Sequence, residues 1–249
     1  MRVALYRTLY GEDFIQESIL SVISRVDRVY VIKSERPWGA SEGVYYKGVW
    51  HPWPKKFDAT RERIAELSDP RITVIDDFWP TTAGQYQHIV NDLLLPRCPD
   101  LTEVLFMEHD WVFTKFEADE FIRQWQEANV PWACTSEVEL WKTHEWRVPA
   151  RGGRATPFLH RINGPIGSEV PPYHLLNAVV YNVGFCMNDL AMFLKHLTAM
   201  AFAKEINDCA PNPNWYDRWL DWEPSVTNLE PTATLEHKIP IIIPYDGEV

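Results

Sequence analysis

Two acids one residue apart, Glu108 and Asp110, follow directly on the apolar run Val104-Leu105-Phe106-Met107 in VLFMEHDWVF. An apolar run of this length reads as a buried parallel strand. Side chains i and i+2 of a strand share a side, so both carboxylates are expected to face one point at the strand's C-terminal end. At such ends α/β sheets bind their ligands. Two hard oxygen ligands suit Mg²⁺ or Mn²⁺, ions that commonly bridge a protein to a diphosphate. The plainer alternative is a pair of turn or capping acids ahead of Lys115. Two buried carboxylates are costly unless paired or coordinating, which favours the metal. His109, between them, is expected to face the other side and to serve the structure.

The elements that must hold these groups alternate along the first half. Residues 2–7 read as a strand, and 12–24 as an amphipathic helix with Ile15, Ile19, Val22 and Ile23 on one face. Strand 28–33 follows, then a long aromatic insertion at 36–57. Asp58 caps the helix of DATRERIAEL. Strand 71–75, helix 83–95, strand 102–107 and helix 117–128 complete a β-α order that implies a three-layer α/β/α, largely parallel sheet. The second half is less regular. It has a strand at 132–140, a Pro/Gly/Arg-rich loop at 142–172, a strand at 178–186, a helix from Asn188 to about residue 206, and a short last strand in IPIIIP. One domain is expected, with a nucleotide-binding half (1–128) and an acceptor half (129–249).

The net charge of −11 disfavours general adhesion to nucleic acid or anionic lipid. No apolar run reaches the length of a membrane span. Cys98, Cys134, Cys186 and Cys209 lack CxxC spacing, so a reduced cytoplasmic setting is expected rather than a disulfide framework. Twelve tryptophans suit either core packing or stacking on sugars and bases.

The sequence resembles the GT-A glycosyltransferases of the family-2 type. The opening strand and acid-rich turn are ALYRTLYGEDF. The second strand and its polar turn are VYVIKSE, the following helix start is FDATRERIAEL, and the acid pair is Glu108-His109-Asp110. The resemblance covers roughly residues 2–125. It departs in having Glu as the first acid and a long linker at 36–57. It implies a GT-A fold and transfer of a sugar from a nucleotide-diphosphate sugar, such as a UDP-sugar, to an acceptor hydroxyl. It also implies a divalent metal held by Glu108, Asp110 and a third, late ligand, for which His237 in LEHKIP is the leading residue.

Other candidates follow from position. Thr8, Tyr10 and Glu12 after the first strand, and Glu35 after the second, are placed to meet a base and ribose; each is equally an ordinary turn residue. Arg63 is placed to reach a phosphate or else is a solvated charge. The resemblance singles out Asn91 from Gln85, Gln87 and Asn91. The general base expected of an inverting enzyme is Asp217 in NWYDRWLDWEP, with Asp221, Glu223, Glu137 and Glu139 as alternatives. Residues 142–161 carry Lys142, Arg147, Arg151, Arg154 and Arg161 against Glu145, a net +4. This segment is either a mobile solvated loop, a lid on the diphosphate, or a contact for a nucleic-acid acceptor such as a hydroxymethylated DNA base; glycans and small molecules are the other acceptors. A nucleotidyltransferase would prefer a Gly-rich loop where TLYGED has one Gly. A non-catalytic sugar-binding protein would lack UDP-sugar hydrolysis.

Overall fold

A computed structural model of the chain describes residues 1–36, 42–53, 58–77, 85–147, 158–167, 173–207, 214–221 and 243–244. Its centre is β1 (Arg2–Thr8), flanked by β2 (Arg28–Lys33) and β6 (Glu103–Glu108), both parallel to it. Covered on both faces, β1 has no polar side to alternate with, and Val3, Ala4, Leu5 and Tyr6 are fully buried. Outside β2 lies β5 (Ile72–Asp76), again parallel. The chain thus steps outward from β1 to β2 to β5, then crosses back over β1 to β6. Right-handed crossovers place the helices before and after that reversal on opposite faces. Helices α1 (Ile15–Val22), α2 (Thr60–Glu66) and, later in the chain, α5 (Lys115–Ala128) pack together. The return run is α3 (Gln85–His88), a π-helical stretch (Ile89–Leu94) and α4 (Leu95–Arg97). The fold is α/β, as expected, and its order reverses between β1 and β6.

The insertion after β2 is a hairpin, β3 (Gly43–Tyr46) and β4 (Val49–Pro52). Lys47 and Gly48 turn it with φ of 47° and 79°. Two consecutive positive φ values give a turn whose twist matches the strands. The N-cap of α2 is Ala59 and not the expected Asp58, which lies one residue earlier and whose Oδ1 accepts from the Thr60 amide at 3.1 Å.

Beyond β6 the sheet becomes mixed, through β7 (Trp111–Val112), β8 (Trp132–Trp141), β9 (Thr143–Arg147), β10 (Phe158–Arg161), β11 (His174–Phe185) and β12 (Ile243–Pro244). Here the expected loop at 142–172 needs correcting, since it contains two of these strands. β10 fills the slot between β6 and β8, antiparallel to both. Its four residues are too few to show a period, yet Phe158 stacks on Phe106 of β6 at 4.8 Å and 4°. The long helix α6 (Asp189–Asn207) begins at Asn188, whose Oδ1 accepts from the Ala191 amide at 3.0 Å. A short α7 (Asn214–Asp221) packs on it. One apolar cluster runs from Val3 to Val180 through both halves. Among the described residues no helix is long and apolar enough to cross a membrane. Cys98, Cys134 and Cys186 are free thiols; Cys209 lies outside the described residues.

Candidate functional site

Strand register lines up one row of residues at the C-terminal edge of the parallel strands. Asp76 pairs with Lys33, Lys33 with Thr8, and Arg7 with Glu108. Three inter-strand steps make the row about 14 Å long, room for a nucleoside carrying a diphosphate. It crosses the point where strand order reverses, the place where open α/β sheets take ligands.

Several buried polar groups along this edge have no hydrogen-bond partner among the described residues. They are Thr8 Oγ1, Gln85 Nε2, Trp53 Nε1 and both ring nitrogens of His109. Thr8 and Gln85 are each only 2% exposed. Such a group typically costs about 1–3 kcal/mol, and a ligand that pairs with it recovers that cost. Gly11 lets the end of β1 approach the acid turn: a Cβ there would lie 2.9 Å from Thr8 Oγ1 and 3.3 Å from His109 Cβ. No described residue accepts from or donates to the ring of His109.

At the β5 end the edge opens into a cavity of about 760 Å³ lined by Lys33, Glu35, Arg36, Glu42, Trp50, Pro52, Trp53, Asp76 and Asp77. This size suits a small-molecule ligand. Strand ends supply carboxylates able to accept from hydroxyl and base N–H groups, and the hairpin supplies indole faces. Lys33, at its floor, pairs with Asp58 and donates to Leu9 O at 2.9 Å. Burial raises the Asp58 pKa, but hydrogen bonds with Glu12, Lys33 and Thr60 outweigh that and hold it below its ordinary value. Glu12 is therefore tied into the floor. Tyr10 stands beside Trp53, ring centres 6.2 Å apart, with Lys33 Nζ 6.0 Å from its own ring centre. Glu35 lines the cavity, exposed. Sequence reasoning passed over Asp76 and Asp77, although VIDD carries a related signal: acids at the end of an apolar run, here a half-buried edge strand.

The acid turn differs from the strand-alternation expectation. β6 ends at Glu108, and His109 and Asp110 form a turn, so the two carboxylates meet different partners. Glu108 Oε1 is 2.6 Å from Arg7 Nη2, whose Nη1 donates to Gln85 Oε1 at 2.5 Å. Asp110 is buried against α6, its Oδ2 2.9 Å from Lys195 Nζ; Lys195 also donates to Gly184 O at 3.3 Å. Burial raises the Asp110 pKa, but the charges of Lys195 and His109 outweigh it and hold the carboxyl below its usual value. Gly184 makes the pair possible, since a Cβ there would overlap both Asp110 Oδ2 and Lys195 Nζ. Among the described residues no three metal-ligating side chains come together. With each acid already neutralised by its own cation, the described residues do not fit a divalent ion. His237 lies outside them.

Other expected residues have settled occupations. Asn91 Nδ2 donates to Ile166 O (2.9 Å) and its Oδ1 accepts from Ile166 N (2.8 Å), so its amide clamps a loop. Arg63 lies exposed on α2, 3.5 Å from Glu66. Asp217, on α7, is 3.0 Å from Lys47 of the hairpin turn. Glu137 on β8 accepts from Asn182, whose Oδ1 accepts from the Gly184 amide at 2.8 Å. Asp221 is exposed; the Glu139 side chain and Glu223 lie outside the described residues. In the basic segment, Lys142 Nζ donates to Leu220 O at 3.0 Å and Arg161 Nε to Val130 O at 3.1 Å. The Arg147 side chain, Arg151 and Arg154 lie outside.

The sequence matches no protein-family model and no curated protein. Among solved structures the chain is similar to S. aureus TarS. Against its residues 1–349, identity is 13%, coverage 88% of this chain and 69% of that one, and the TM-score 0.40. Against the same stretch in complex with UDP the values are 13%, 88%, 70% and 0.42. Against the complex with UDP-GlcNAc they are 15%, 63%, 37% and 0.34. The chain spans 42% of a longer TarS chain. TM-scores this low leave the site to be judged by its own residues.

Proposed function

We propose that this protein is a glycosyltransferase that moves a sugar from a nucleotide-diphosphate sugar to an acceptor hydroxyl. One observation carries the reading: the cavity of about 760 Å³ opens onto a row of strand-end polar groups that crosses the switch point. The nucleoside lies in the cavity, its base against Trp50 or Trp53 and its hydroxyls on Glu35, Asp76 or Asp77. The diphosphate follows the row past Thr8 towards the acid turn, with the sugar beneath α6. A UDP-sugar is the donor tried first.

Asp217 is the proposed base, and transfer requires it to leave Lys47. Glu137 is the second reading, because Asn182 and Gly184 connect it to the Asp110 turn. If Asp217 is the base, Asp217→Asn lowers turnover by about 10²–10⁴-fold; the same loss in Glu137→Gln alone moves the assignment. The acceptor is a glycan, a small molecule or a hydroxymethylated DNA base. If Arg151 and Arg154 hold DNA, replacing both by Ala lowers the salt slope of DNA binding by nearly one for each phosphate released.

Titration with a panel of UDP- and GDP-sugars, followed by a product assay, tests the whole. Trp50→Ala is expected to cost about 1–3 kcal/mol of nucleotide affinity, as loss of a base-stacking face does. Binding of free sugars with no nucleotide requirement and no release of nucleoside diphosphate points instead to a sugar-binding protein.

A further inference from the structure

The carboxylates placed for a divalent ion hold protein cations in its stead. We propose that Lys195, fixed by Asp110, supplies the positive charge at the leaving diphosphate, so that donor binding and transfer proceed without a metal. This rests on the nucleotide-sugar reading above.

Three parts of the chain converge on the ammonium group: the acid turn, β11 through Gly184, and α6. Lys195 Nζ lies 2.9 Å from Asp110 Oδ2 and 3.3 Å from Gly184 O. The Asp110 side chain is 9% exposed and that of Lys195 31%. The acid is the buried anchor, and the cation is the member that reaches the surface. The absence of a side chain at position 184 is what admits both, since a Cβ would overlap each of them. Helix α6 is held over this edge from its first turn: Asp13 accepts from the Asn188 amide at 3.0 Å and from Asn188 Nδ2 at 2.8 Å. Asp13 belongs to the same turn as Gly11, beside Thr8 and His109. The turn that borders the donor row therefore also sets the position of Lys195. Arg7, on Glu108, adds a second cation at the switch point. A divalent ion taking both carboxylates must displace both protein cations.

In the step itself the acceptor oxygen bonds to the anomeric carbon while the bond from that carbon to the β-phosphate oxygen breaks. The nucleoside diphosphate leaves with the electron pair, and the acceptor proton passes to the base carboxylate. Lys195 keeps its protons and donates a charge-assisted hydrogen bond to the leaving oxygen.

Calorimetry with UDP, GDP and their sugars decides this, on chelator-treated protein and with Mn²⁺ restored. The wild type is expected to bind a nucleotide equally well in both conditions. Lys195→Met should weaken that binding about ten- to hundredfold, the loss expected of a hydrogen bond to a charged group, and Lys195→Arg should retain most of it. Because Lys195→Met leaves a buried acid unpaired, the double variant Asp110→Asn/Lys195→Met is measured beside it; with a neutral pair it should fold and show the same loss. Wild-type binding only with Mn²⁺ overturns the inference and leaves the nucleotide reading standing. So does a folded double variant with unchanged metal-free binding, which makes the pair purely structural. No nucleotide bound under either condition brings down the nucleotide reading and this inference with it.

Discussion

The edge formed by β5, β2 and β1 and the face formed by β11 and α6 meet at the acid turn, but they place their charged groups differently. Along the first, each group stands at the end of a strand whose apolar run fixes its direction and its neighbours. Lys33, Thr8 and Asp76 are brought level by parallel register alone. On the second, position comes from partners distant in sequence. Lys195 meets Asp110 across 85 residues. Backbone ladders set the charged groups of the first region, whereas in the second the ladder of β11 leaves Lys195 to be placed by a single side-chain pair and the clearance around it. The second should therefore break more sharply under one substitution.

Two glycines test that contrast with the largest expected effect. Gly184→Ala drives a methyl against Asp110 Oδ2 and Lys195 Nζ, closer than a Cβ tolerates, and the side-chain ends can give way only by parting the ion pair. Separating such a pair while overpacking the site should cost about 3 kcal/mol. Gly11→Ala meets Thr8 Oγ1 at 2.9 Å and His109 Cβ at 3.3 Å, a crowding that a hydroxyl rotation partly relieves. It should cost about 1 kcal/mol. Urea denaturation of both variants gives the comparison, and a larger loss for Gly11→Ala would reverse it.

A pH effect comes next, on β10, away from both regions. His160 of β10 stacks on Trp132 at 4.0 Å and meets the Tyr86 hydroxyl at 3.1 Å. Burial pushes its pKa down to about 4. Between that value and the ordinary 6.5, the unfolded chain binds a proton that the folded chain does not. Stability therefore falls as pH drops through this window, by up to about 1.4 kcal/mol per pH unit. Thermal melts of the wild type and His160→Phe at pH 7 and pH 5 should show the difference shrinking in the variant. A parallel pH response in both would remove His160 as the cause.

The strands of the parallel half are readable because each is an apolar run bounded by charge, and a buried parallel strand needs nothing else. Arg28–Lys33 is found with the expected bounds. The acid turn carries the same signal and departs from it in one respect. Alternation does not run through to Asp110: the strand stops at Glu108, and the turn sends the second acid to α6. The hairpin is legible in GVYYKGVW, where Lys-Gly sits between aromatic runs, but the Pro and Gly around it suggest a loop. β10 is hidden for a different reason: four residues make a strand only because β6 and β8 leave a slot of that length. Lys195 carries no local mark at all. A lysine in a helix is ordinary until its partner is known, and Asp110 lies 85 residues earlier.

Asn91 separates family expectation from geometry at a smaller scale. Both ends of its amide are used on the Ile166 backbone. Asn91→Ala should cost about 1–2 kcal/mol and leave nucleotide affinity unchanged in calorimetry. Weaker nucleotide binding at unchanged stability would return it to the ligand set.

The smallest effect is expected at an exposed pair, which joins the hairpin turn to α7 beside the second region. Lys47 and Asp217 touch at 3.0 Å, yet their side chains are 63% and 44% accessible. The hydrogen bond that Lys47 donates to Asp217 raises the Lys47 pKa, but solvent screens the pair and ordering two side chains opposes it. The hairpin is instead held to α6 by apolar contact, with Tyr46 and Trp53 clustered against Leu194 and Leu197. Lys47→Met should therefore leave the melting temperature unmoved at low and high salt. A clear, salt-sensitive drop would mean that this pair anchors the hairpin as Lys195 and Asp110 anchor α6, and the line between an exposed pair and a buried one would have to be redrawn.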